Sequence, residues 1–297
     1  ILSSGLTTVI GFLALVLMQF QIGPDLGLAL AKGVVLSLVT VFTFMPALTL
    51  ACYKWMDKTH HKPLLPSFDK FGRFVSRVML PMALVLAILM VPSYLASNSN
   101  QYHYGAAHMF GTNTRLGADT AAIEEIFGKS DTYVVLVPEG DTATQAELSD
   151  ALHAIPEVTG VLSYVDNAGA SIPPEFVPAD TLKLLVSGGY TRLVLTVDAD
   201  TEGDAAFALV ETVRATVQQY YPDNYYLAGQ GVSTYDLMDT ITADMVKVNL
   251  LAIGAVFLIL LLMKRQLLLP IILVLSIETA IWINLAIPYF RGQYVFY

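Results

Sequence analysis

Cysteine is almost missing from this sequence: Cys52 is the one residue of its type in 297. That excludes a disulfide framework, the device by which small secreted domains make up for a small core. Cys52 reads as a buried structural thiol. Charge is scarce too, at 14% of residues against roughly 25% in soluble domains. Basic residues are the rarer sign, 16 against 25 acidic, for a formal net charge of −9. Between 98 and 243 the basic side chains are only Arg115, Lys129, Lys183, Arg192 and Arg214. Nucleic-acid binding needs a basic stripe or patch, so nucleic acid is excluded as a partner.

Chemical motifs are equally sparse. His60 and His61 are adjacent and point apart, and His103 and His108 are five residues apart. None of these has an acid or cysteine at ligand spacing, so no metal site is expected. No nucleophile–base–acid set appears, and Gly229-Gln230-Gly231 reads as a turn and not as a phosphate loop. We expect no enzyme and no bound cofactor.

What the sequence has in abundance is long apolar runs, with 55% hydrophobic residues. Five spans stand out, at 3–20, 26–53, 78–96, 245–263 and 267–290. A bilayer core about 30 Å thick needs roughly 20 apolar residues of helix to cross it. The expectation is therefore a polytopic α-helical membrane protein with one large polar domain between its third and fourth spans. The expected divisions are 1–53 (transmembrane), 54–77 (linker), 78–97 (transmembrane), 98–243 (polar domain) and 244–297 (transmembrane). Ile1 is not Met and lies inside an apolar run, with no charged segment or cleavage site before it. It does not read as a signal peptide, and we expect the sequence to be a fragment of a longer chain.

Orientation follows from the basic residues. Lys54, Lys58, Lys62, Lys70, Arg73 and Arg77 follow the second span, and Lys264 and Arg265 follow the fourth. Both turns belong in the cytoplasm by the positive-inside rule. An odd number of crossings separates each from the polar domain, which is therefore extracytoplasmic in a cell-membrane protein. Phe68, Phe71 and Phe74 mark one face of an expected amphipathic helix on the inner leaflet.

Within the spans, Ser3, Ser4 and Thr7 form a small and hydroxyl face suited to close helix packing. Asp25 is the expected N-cap of span two, and Pro46 its expected kink. Lys32 has two readings: a snorkelling surface lysine, or a buried partner of an acid. Glu278 lies near the middle of span five, with Asn284 six residues on. A carboxylate at that depth faces the bundle interior. It is either a functional group or a protonated structural one.

The polar domain alternates its periodicities. A helix is expected at 118–127. Strands are expected at 132–137, 158–165, 190–197 and 225–228, and helices at 142–155 and 204–221. The 142–155 helix is capped by Asp141 or Thr142. A loop at 171–187 holds a short helix near 180–186. The order β-α-β-β-α-β is the ferredoxin-like pattern. From Val232 the chain turns helical and runs into span four without a breaker.

These pieces resemble the MMPL group of the resistance-nodulation-division (RND) transporter superfamily. The carrying segments are Ser4-Gly5-Leu6-Thr7, Ile10-Gly11-Phe12, Ile22-Gly23, Asp25-Leu26-Gly27, Lys32-Gly33, Met45-Pro46-Ala47-Leu48 and Asn284-Leu285-Ala286-Ile287-Pro288. The resemblance implies the fifth to ninth helices of a twelve-helix exporter, with the polar domain as its second porter domain. It implies a proton gradient as energy source, a lipid-like or hydrophobic substrate in the bilayer, and leaves a homo-oligomer open. The family's relay uses Asp-Tyr pairs on the fourth and tenth helices, so no relay Asp carries over. The Ser3, Ser4 and Thr7 face would adjoin that relay. The alternatives are a non-transporting membrane transducer and a lipid or sterol sensor on the same fold.

In a background lacking Cys52, Asp180→Cys should react with an impermeant thiol reagent applied from outside, and Lys264→Cys should not. The opposite labelling pattern would reverse the topology.

Overall fold

A computed structural model describes residues 2–58, 69–105, 109–172 and 176–296, leaving aside the side chains of Ser3, Asp69, Lys70 and Thr181. The expectations at His60, His61, Lys62, Phe68 and His108 lie outside the described residues. In chain order the first helices are α1 (Leu2–Ala14), α2 (Ile22–Lys58), α3 (Asp69–Ser97), α4 (Arg115–Phe127) and α5 (Thr142–His153). They are followed by α6 (Tyr164–Asn167), α7 (Ala179–Leu185), α8 (Asp204–Tyr220), α9 (Gln230–Lys264) and α10 (Leu268–Arg291). The main strands are β1 (Asp131–Pro138), β2 (Val158–Leu162), β3 (Tyr190–Val197) and β4 (Tyr226–Gly229). The chain forms two units: Ile1–Tyr102 with Thr240–Val295, and His103–Asp239 with Phe296–Tyr297.

In the first unit, α2, α3, α9 and α10 each contain a stretch long and apolar enough to cross a membrane. This is a multi-pass membrane protein with an extracytoplasmic α+β insertion. At 1.5 Å per residue, the 37 residues of α2 span about 55 Å, well beyond a hydrocarbon core of about 30 Å. Its cytoplasmic half contains Pro46 without ending there. Thr43 and Thr49 on either side donate to the carbonyls of Val39 and Met45.

Three local expectations change. The first expected span is shorter than a crossing among the described residues: α1 ends at Ala14, and one 3-10 turn, Leu15–Leu17, closes it. Asp25 is not an N-cap, because α2 begins at Ile22 and holds Asp25 in its first turn. Pro24 is tolerated there because the first four N–H groups of a helix have no intrahelical acceptor. Finally, Phe71 and Phe74 do not form a separate surface helix. They are exposed on the opening turns of α3, which runs unbroken into the span.

Packing of α1 on α2 uses small residues. Gly23, Gly27 and Ala31, four apart, are the buried positions of α2. A Cβ on Gly27 would sit 2.6 Å from the Phe12 carbonyl oxygen, and one on Gly23 would sit 2.6 Å from Met18 Sδ. In lipid, where apolar burial gives no advantage, such close approach is what holds helices together.

The extracytoplasmic unit is built on an antiparallel sheet of order β2-β3-β1-β4, the ferredoxin-like arrangement, with Val186–Ser187 added beside the start of β3. Alternation sets the register. Tyr133, Val135 and Val137 of β1 lie opposite Leu195, Leu193 and Thr191 of β3, all buried. The helices α5 and α8 cover that face through Leu148, Leu152, Val210, Val213 and Val217. Burial, and then the charge of Asp131, pushes the Tyr133 phenol up to about 12. Asp141 caps α5, accepting from Thr144 N–H at 3.0 Å. The expected second strand is cut short at Leu162, because Ser163 accepts from Asp166 N–H and starts α6. The first turns of α9 belong to this unit: Val232 joins the core, and Gly231 N–H donates to the buried Asp131 at 2.7 Å.

A soluble piece spanning 103–239 should give a mixed α/β circular dichroism spectrum and unfold cooperatively. Leu193→Ala should lower its stability by about 2–5 kcal/mol, read from the urea midpoint. An unchanged midpoint would show that the layer under α5 and α8 is not the core.

Candidate functional site

The intramembrane candidates fall on three helices. Glu278 and Thr279 are buried on α10, which packs against α3. The pair is aligned by the Tyr94 and Trp282 rings, edge to face with centroids 5.0 Å apart. At its outer end Asn100 Nδ2 donates to the Leu285 carbonyl at 2.7 Å. Only 7% of Glu278 is exposed, and no hydrogen bond reaches it among the described residues. A carboxyl group removed from water is costly unless it is neutral or paired.

Ser4 is exposed and Thr7 half-buried on α1. Thr7 and Thr8 spend their hydroxyls on the carbonyl of Ser4, at 2.8 and 2.9 Å. The Ser3 side chain is outside the described residues. Lys32 is exposed on α2, beside and not within the buried small-residue stripe, and Asn284 is exposed on α10. The structure therefore places Ser4 and Thr7 on one helix, Lys32 on a second, and Glu278 and Asn284 on different faces of a third.

One polar group in the membrane unit was passed over in the sequence. Asp244 lies on α9 at the division between polar domain and span, and its side chain is fully buried. Its Oδ2 accepts from the backbone N–H groups of Gln19 and Phe20, at 2.6 and 3.0 Å. Lys247, one turn on, brings Nζ to 3.9 Å of Oδ1. The bonded amides lie in the turn between the 3-10 segment and α2, where no helix supplies an acceptor. A signal existed: Asp244 interrupts the apolar stripe of Met238, Ile241 and Met245. Nothing in the sequence named a partner 225 residues away.

The extracytoplasmic unit carries a groove of about 580 Å³, within the size range of small-molecule sites. Phe110, Leu116 and Ala121 give it an apolar wall, and Lys129, Asp200 and Thr201 line its polar side. Lys129 Nζ lies 2.6 Å from Asp200 Oδ2. That hydrogen bond, and then the charge of Asp200, hold the ammonium above its ordinary range. Helix α4, which carries Leu116 and Ala121, also exposes Ile123, Ile126 and Phe127. An apolar wall facing an ion pair suits an amphiphile better than a fully polar solute.

Comparison with known proteins follows the same outline. The MMPL family model matches residues 1–82 and 110–294. SCO0839 of Streptomyces coelicolor, a protein named for its membrane character alone, is 24% identical over 290 residues. That match takes in 93% of this chain and 39% of the relative, so the chain spans about two fifths of the length of the curated relative it matches.

Asp244→Ala would leave two amides of a buried turn without an acceptor, at a cost of about 1.5–3 kcal/mol. The detergent-solubilised protein should melt several degrees lower, and Asp244→Asn, which keeps one acceptor oxygen, should lie between. A native melting point for the alanine variant would remove Asp244 from the interactions that hold the turn.

Proposed function

The chain belongs to the MMPL family, and from that membership we propose that it is part of an exporter driven by the proton-motive force. Its cargo would be lipids or other hydrophobic compounds. In this reading the chain supplies the fifth to ninth helices of a twelve-helix protein and the second of its two porter domains. The divisions are those drawn at 1–53, 54–77, 78–97, 98–243 and 244–297.

The observation that carries the reading is the groove beneath α4, an apolar wall facing an ion pair, in a domain inserted between membrane helices. A second feature supports it. Helix α9 gives Val232 to the domain core and continues as an apolar span, so a change in the membrane helices has a continuous element through which to act.

The mechanism is a population shift. Protonating a carboxyl group at membrane depth removes a charge that is expensive in lipid, and so favours a different packing of the helices around it. Of the two buried carboxyl groups in the described membrane unit, Asp244 is already bonded to two backbone amides, and Glu278 is assigned this role. Ser4 and Thr7 are assigned to the face beside the relay helix, with Ser3 as their neighbour in sequence. Lys32 and Asn284 are assigned to outward contacts of the bundle.

In vesicles containing the full-length protein and a fluorescent phospholipid, an imposed proton gradient should drive transport, and an uncoupler should abolish it. Glu278→Gln should impair that transport at unchanged abundance. Normal transport by the variant would retire Glu278 alone. Failure of the gradient to move any lipid-like probe would favour a transducer or lipid sensor.

A further inference from the structure

The segment that enters the extracytoplasmic domain is fastened by a buried carboxylate. Glu202, in the loop between β3 and α8, has a side chain only 2% exposed. Its Oε1 accepts from the backbone N–H of Tyr104 at 2.5 Å and lies 3.2 Å from His103 Nδ1. Its Oε2 is buried with no hydrogen-bond partner among the described residues. Gly105 lies beside both: a Cβ there would sit at ordinary contact, 3.4 Å, from that oxygen and more tightly, 3.2 Å, from Thr234 Oγ1. The Phe296 ring lies tilted against the His103 ring, centroids 5.2 Å apart.

The charged surroundings are one-sided. Asp198, Asp200 and Asp204 flank Glu202, and Asp236 and Asp239 lie on the first turns of α9. Asp200 is held by Lys129 and Asp236 by Arg214, at 2.6 and 2.8 Å. Among the described residues of 103–105 and of the first turns of α9, the other titratable groups are the phenols of Tyr104 and Tyr235. The basic side chain that the described residues bring within ion-pair distance of Glu202 is His103. A buried carboxylate is costly unless a cation or several donors meet it, and histidine is the side chain whose charge changes between pH 5 and 8.

We propose that His103 and Glu202 form an acid-tightened clasp, which binds the segment 103–105 to the domain more strongly as the external pH falls. With the imidazolium formed, Glu202 faces a cation at ion-pair distance as well as the Tyr104 amide, and an opposite charge that close favours the charged forms of both groups. As pH rises the imidazole becomes neutral, the carboxylate keeps only neutral donors, and the clasp loosens. The inference rests on the extracytoplasmic position of the domain and on this geometry, and not on the export reading.

Hydrogen–deuterium exchange of the full-length protein tests it without any transport assay. After correction for the intrinsic rate, peptides covering 102–105 should be about fivefold more protected at about pH 5.5 than at about pH 7.5. His103→Gln and Glu202→Gln should each remove that difference while β1 peptides keep their protection. Equal protection of the native protein at both pH values would overturn the clasp. So would greater protection at the higher pH, or a difference that survives in His103→Gln. Should His103→Gln fail to fold, the native comparison and Glu202→Gln decide the matter.

Discussion

Inside a bilayer there is no water to satisfy a backbone N–H or C=O, so every such group must find its partner within the protein. Helices meet that demand along their length, and turns between them do not. The turn joining α1 to α2 meets it by borrowing: Gln19 and Phe20 donate to Asp244, on a helix far away in sequence. Asn100 does the converse at the outer end of α3, donating to a carbonyl of α10. These contacts hold the outer ends of the membrane unit in register. They explain why polar side chains sit where an apolar one would pack more cheaply.

The same demand shapes how the helices touch. Gly27 brings α2 against the α1 backbone, and Gly23 and Ala31 continue the buried stripe, because apolar side chains gain nothing by leaving lipid for protein. The extracytoplasmic unit answers to a different solvent. There the alternation of β1 and β3 and the apolar faces of α5 and α8 build a conventional core. Helix α9 obeys both rules in turn, packing Val232 into a water-excluding core and then presenting apolar side chains for lipid.

Periodic features were legible in the sequence, and long-range ones were not. The 190–197 strand is marked by strict alternation and is found with those ends. The 204–220 helix is marked by Phe207, Val210, Val213 and Val217, and its expected end differs by one residue. Failures came where tertiary contact overrides local signal. Asp25 looks like a cap, but Gly23 packs on Met18 and the helix starts earlier. Phe71 and Phe74 look like a separate amphipathic helix, because no residue between 69 and 78 marks that the helix runs on. Of the polar groups, Glu278 was visible because a carboxylate stands out in an apolar run. Asp244 sat at a boundary and its donors were beyond any local reading. Glu202 was hidden among other acids of a loop, and only folding brings His103 beside it.

The length and chemistry of α2 have a mechanical side. Pro46 leaves one carbonyl of the preceding turn without its N–H, and Thr43 and Thr49 add bonds to carbonyls that already serve the helix. Hydroxyl back-bonding of this kind lowers the cost of bending a helix. The cytoplasmic half of α2 is thus the compliant end of a long rod, and the half gripped through Gly23 and Gly27 is the stiff end. Stress applied at the cytoplasmic tip would be taken up as curvature around Pro46 before it reached the glycine contact.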